Sequence, residues 1–189
     1  EQEQSSIMEK TYNLLIAYLE KRDIKEAITF LEENRIDDLK LLSFYRRTNK
    51  IEKSLELVRK LYKQDGNIEL LAQIAILEFE VAPNKEEILP MVVKKFEDVL
   101  NVLDNHVYQN YLGYILIDYD LDIKRGIELI NKALEKAPNN AAYIDSLAWG
   151  QYKLNNCESA YKNMQKVIND VGLLDDEIKK HWNKIKECK

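Results

Sequence analysis

Few residues in this chain have the types and spacing that chemistry requires. Its two histidines, His106 and His181, stand far apart, and neither sits in an HExxH or comparable metal-binding setting. His106 reads as a surface residue near a helix start, and His181, beside Trp182, as a solvent-facing one. The chain has no Gly-rich phosphate loop and no GxSxG nucleophile elbow. The paired acids Asp37-Asp38 and Asp175-Asp176 read as favourable charges at helix starts rather than as a catalytic dyad. Cys157 and Cys188 belong to no CxxC or Cys/His cluster, which argues against zinc. The two could pair if the last helix folds back, but they read as free thiols. A catalytic centre, a metal site and a cofactor are therefore not expected, and the chemistry to look for is non-covalent.

Nucleic acid is a poor candidate for that chemistry. Arg46, Arg47, Lys50, Lys53, Arg59, Lys60 and Lys63 cluster with Tyr45 and Tyr62 among them, a mixture that can stack on single strands. Glu52 and Glu56 interleave, however, as on a salt-bridged solvent face, and the net charge of −5 lacks the basic footprint of a phosphate binder. No apolar run approaches the roughly 20 residues of a membrane span. The basic stretch Lys179, Lys180, Lys184, Lys186 and Lys189 reads as the outer side of a capping helix rather than a membrane-surface helix. The chain opens on the polar lead-in Glu1-Gln2-Glu3-Gln4-Ser5-Ser6 without an initiating Met, as a processed or trimmed form would. Attachment to a membrane would need a lipid on an absent N-terminal cysteine, or a partner.

The elements that must position any binding residues are helices. With only five Gly and three Pro, the chain lacks the punctuation that a β fold needs, whereas long helices with short connections fit. The spacing predicts helices over 12–21 and 24–33, 38–47 and 51–63, 68–81 and 84–102, 108–119 and 124–136, and 141–154 and 158–169, in successive pairs. Asp65-Gly66-Asn67 is a stop signal, and Asn84 with Glu87 a start signal. Pro90 predicts a kink, or a fresh helix holding it in the first turn. Ile178, Trp182 and Ile185 share one face of a last helix, which covers the apolar end of the stack.

One hairpin pattern occurs twice in a row. Leu112-Gly113, Gly126, Ile130, Ala133 and Pro138 are followed by Leu147-Ala148, Ala160, Met164, Val167 and Gly172. Small residues recur where two helices must touch, and such a unit needs neighbours to bury its apolar face. These residues resemble tetratricopeptide repeats, whose unit has about 34 residues. Leu112, Gly113, Ala133 and Pro138 sit on consensus positions, with Gly126 in place of Ala and one extra residue near Leu121. Leu147, Tyr152, Ala160 and Met164 fit in the second copy, with Ala148 in place of Gly and Gly172 in place of Pro. The run Asn110-Tyr111-Leu112-Gly113-Tyr114 through Ala142-Tyr143-Ile144-Asp145-Ser146-Leu147-Ala148-Trp149 is similar to the NxLGYxL…AYxDSLGW pattern of bacterial envelope-associated members, many of them lipoproteins. Earlier pairs match loosely, through Ala27, Ser54 and Ala72.

The resemblance implies an all-α fold, a right-handed α-α superhelix of about five helical hairpins closed by a C-terminal capping helix. Degenerate hairpins would fill 1–104, two clear motifs 105–172, and the cap 173–189, all in one continuous solenoid domain. First helices of such hairpins line the concave side, so the expected groove carries Asn110, Tyr114, Ile117 and Asp118, then Asp145, Trp149, Tyr152 and Lys153. Earlier hairpins add Arg46 and Gln73. Aromatic anchors beside aimed polar groups are the material of binding hot spots, although Trp149 and Tyr114 could equally be packing residues. Asp145 beside Lys153 argues against the carboxylate clamp of some members and for a basic or neutral segment. A protein or peptide partner is the expectation, in the bacterial periplasm or at a membrane, with the cytoplasm left open. The first alternative is an assembly module that docks on a larger complex through its outer faces, and the second an RNA-binding helical repeat.

Overall fold

The computed structural model describes the backbone of residues 2–188 and the side chains from Ser6 onward. Glu1 and Lys189, the ends of the polar lead-in and of the basic stretch, lie outside the described residues. Eleven helices and no strand occur among the described residues, so the chain is all-α as expected. Most helix bounds fall within two residues of the sequence reading. The exception is the first, which begins near the start of the chain.

The chain divides into two compact units, Glu1–Pro83 and Asn84–Lys189. The first contains α1 (Gln2–Arg22), α2 (Ile24–Asn34), α3 (Asp38–Arg47), α4 (Ile51–Asp65) and α5 (Ile68–Val81). Its core gathers around Phe44, Val58, Ile28 and Leu31, all essentially inaccessible to solvent. Burying one such side chain is worth about 1.5–3 kcal/mol. The second contains α6 (Lys85–Leu100), α7 (His106–Asp118), α8 (Ile123–Lys136), α9 (Ala141–Lys153), α10 (Cys157–Val171) and α11 (Asp176–Ile185). Its apolar positions are those of the repeated pattern: Leu112, Ile130, Ala133, Ala148, Ala160, Met164 and Val167 are all buried.

Local chemistry sets the helix ends. Asp23, Asp37, Asn67, Asn84, Asn105, Asp122, Asn140 and Asp175 each cap a helix by accepting a bond from a backbone N–H of its first turn. Gly66 closes α4 in the left-handed conformation that its lack of a side chain permits. The α3–α4, α7–α8 and α9–α10 turns share one geometry. Asn49, Asp120 and Asn155 take positive φ, and the next residue's N–H bonds the carbonyl five positions back: Lys50 to Tyr45, Leu121 to Leu116 and Asn156 to Gln151. The α7–α8 turn is longer by one residue than the other two, as the extra residue near Leu121 requires.

Of the two expectations for Pro90, the fresh helix does not occur. The helix starts at Lys85, so Pro90 lies in its second turn rather than opening a fresh helix. Its exposed position lets the carbonyl it strips of a partner face water. The basic cluster of the first unit is salt-bridged, but not through Glu52 and Glu56. Arg47 pairs with Glu20, Lys53 with Glu32, Arg59 with Glu78 and Lys60 with Asp38, all on other helices. These pairs tie each basic side chain to a different helix of the unit.

Candidate functional site

The residues expected to line a groove fall into two places. Arg46 on α3 and Gln73 on α5 lie in the first unit, where the Arg46 guanidinium donates to Gln73 Oε1 at 2.6 Å. Asn110, Tyr114, Asp145, Trp149, Tyr152 and Lys153 lie in the second unit, on α7 and α9. Helical spacing explains their meeting. Asn110, Tyr114 and Asp118 follow one another at four-residue steps, as do Asp145, Trp149 and Lys153, so each trio forms one stripe.

The stripes bond to each other. Trp149 Nε1 donates to Asp118 Oδ1 at 2.9 Å, and Lys153 Nζ donates to the Asp118 carbonyl at 3.0 Å and to Asp120 Oδ2 at 2.8 Å. The Trp149 ring lies nearly parallel to that of Tyr152, with centroids 5.0 Å apart. The residues expected to line a groove therefore also take part in internal packing. Trp149 is only 6% exposed and also belongs to the core with Ile117 and Ile130.

Two expectations fail at this site. His181 is fully buried rather than solvent-facing, and its Nδ1 donates to the Asp145 carboxylate, 2.9 Å from Oδ2. Its ring stacks on Trp149 with centroids 4.3 Å apart. Asp145 is accordingly buried and engaged, not presented to a ligand. Burying a carboxylate is costly unless a donor meets it, and His181 is that donor. The spacing held a signal for this, since His181 falls three residues after Ile178 and four before Ile185, on the face those apolar residues share. The cysteines also differ from the sequence reading: Cys157 and Cys188 are joined in a disulfide, because α11 folds back until their Cα atoms lie 5.4 Å apart. The same return brings Glu177, which spacing alone does not single out, to Tyr114, whose hydroxyl donates to its carboxylate. His106 begins α7 as expected but is half-buried, its Nδ1 2.9 Å from the Tyr143 hydroxyl.

The electrostatics are one-sided. Burial first, then the bond to Glu177, pushes the Tyr114 hydroxyl well above the ordinary tyrosine range, and Asp118 and Asp145 add to the effect. Tyr114 is consequently a fixed donor in a negative surrounding. Two acceptors stay without partners: the buried Asn110 Oδ1 and the Gln109 Oε1, although the Gln109 amide donates to Asp104. Elsewhere in this unit, a hollow beside α6 and the α7–α8 turn is floored by Leu89, Pro90, Val93 and Leu116, and rimmed by Glu86, Asp118, Asp120, Asp122 and Arg125. No group of His, Cys, Asp or Glu suited to a metal ion occurs among the described residues.

No family model and no curated protein matches this sequence. Solved structures do. TTC0263, a thermophilic TPR protein in Thermus thermophilus, superposes with a TM-score of 0.61 at 14% identity, over 94% of this chain and 99% of that one. MamA from Desulfovibrio magneticus RS-1 gives a TM-score of 0.59 at 16% identity, over 80% of this chain and 92% of that one. The structure titled MamA MSR-1 gives 0.61 at 19% identity, over 86% and 96%. The likeness is one of fold, and the fold is the tetratricopeptide type.

Proposed function

We propose that this tetratricopeptide-type chain is a non-catalytic scaffold that holds a helix or peptide segment of a partner protein against the inner faces of its hairpins. The facing stripes of α7 and α9, which already hold a helix through Tyr114, Asp145 and Trp149, are the observation that carries the reading. Tyr114, Trp149 and Lys153 lie on those two stripes, each fixed in place by a partner within the unit. The negative surrounding of Tyr114 favours a neutral or basic segment, the same preference that Asp145 suggests in the sequence. The Cys157–Cys188 disulfide supports an oxidising compartment, in keeping with a role in bacterial envelope assembly. No described helix is long and apolar enough to cross a membrane.

A second reading, docking through outer faces, is favoured by the apolar-floored hollow at α6 with Met91 and Leu121 exposed nearby. Photo-cross-linking in native cells separates the two. A benzophenone side chain is placed at Asn110 or Lys153 in one set, and at Met91 or Leu121 in the other. The groove reading expects one recurrent adduct from the first set, which Asn110→Ala abolishes when the probe sits at Lys153. Adducts from the second set alone would transfer the function to the outer face.

A further inference from the structure

Helix α11 occupies the inner side of the second unit as a bound helix would. Glu177 and His181, one turn apart, reach both stripes: the first meets Tyr114 on α7, the second meets Asp145 and Trp149 on α9. Behind them Ile185 is buried, and Ile178 and Trp182 pack half-buried against Ala148, Met164 and Val167. We propose that α11 is a displaceable occupant of this face, and that the Cys157–Cys188 disulfide is the latch deciding whether a partner helix can take its place. The inference rests on the inner face being the partner site.

The attachment of α11 supports a latch. At ten residues it is shorter than helices that persist alone in water, so its order depends on its seat. Its leading end hangs on the short connection from Gly172 to Asp175, where Gly172 takes positive φ and Leu174 is 97% exposed. Its trailing end is fixed by the disulfide to the first residue of α10. With the bridge closed both ends are held, and with it open only one is. Opening requires a dithiol reductant. One thiolate attacks a cystine sulfur and breaks the S–S bond, and the second thiol displaces the mixed disulfide. Cys157 and Cys188 take up two electrons and two protons, and the reductant leaves as its own disulfide. The partner that fits is an amphipathic helix with a carboxylate one turn before an imidazole or planar cation, because those two groups satisfy Tyr114, Asp145 and the Trp149 face.

The test uses the full chain in its oxidised and reduced forms, with a fluorescein-labelled synthetic peptide of residues 175–187 as the probe. Anisotropy should show the peptide binding the reduced chain about 30-fold or more tightly than the oxidised one. Hydrogen exchange should show the α11 amides losing protection on reduction while those of α7 and α8 keep theirs. The C157S/C188S chain should match the reduced protein in either buffer. Equal exchange and equal peptide binding in the two redox states would overturn the latch, and would do so whether or not the double variant folds. If reduction opens α11 but cross-links from Asn110 capture nothing, the groove reading falls and the latch falls with it, leaving only a redox-released helix. If those cross-links form and reduction changes nothing, the groove reading stands and the latch alone falls.

Discussion

Tyr114 illustrates how one side chain reports on a whole site. Its hydroxyl is held neutral by burial and by Glu177, so its folded value lies above the unfolded 10.0. A raised acid of this kind lends stability that is fully present below pH 10 and is lost as the unfolded chain begins to ionise above it. One such group steepens the loss by about 1.4 kcal/mol per pH unit. Tyr114→Phe should therefore flatten the fall in urea midpoint between pH 9.5 and 11 relative to the native chain. An unchanged slope would show that Tyr114 titrates normally. At this scale the sequence is half legible. Helical spacing alone puts Tyr114 near Trp149 and Lys153 near Asp118, because those pairs sit on neighbouring first helices. It cannot put His181 on Asp145, a contact 36 positions apart that exists only because the last helix returns.

Among the elements, α7 and α8 depend on two glycines facing each other. A Cβ on Gly126 would lie 2.6 Å from the Gly113 carbonyl oxygen and from Ile117 Cγ1, and one on Gly113 would lie 2.8 Å from the Gly126 oxygen. Gly126→Ala gains about 1 kcal/mol of helix propensity but forces backbone apart, at about 1–3 kcal/mol. We expect net destabilisation of the second unit, read as a lower denaturant midpoint with an unchanged m-value; a rise in midpoint would mean that the helices can separate freely. These glycines are visible in the sequence because their spacing repeats a known pattern. So are the Asp and Asn caps. Gly150 carries no such signal, although its missing side chain makes room for Ile117 and Ile127, because it lies outside that pattern. Pro90 opens no fresh helix for a related reason: the start at Asn84 and the proline look like competing signals, while an exposed second-turn position accommodates both.

At the scale of the molecule, we expect the two compact units to melt separately. Calorimetry is expected to resolve two transitions, and reductant should lower only the one shared with an isolated 84–189 fragment, on the order of 10 °C. A single transition that moves as a whole would show one cooperative body instead. Spacing alone offers no means of choosing between free thiols and a bridge, since that choice depends on where a terminal helix lies. The bridge has one more consequence. It closes a covalent ring through α10 and α11, and the exposed Leu174 lies on that ring. A protease that nicks the chain at Leu174 would release nothing: the severed tail would stay tied on, and the cut would pass unseen on a gel until the sample met a thiol.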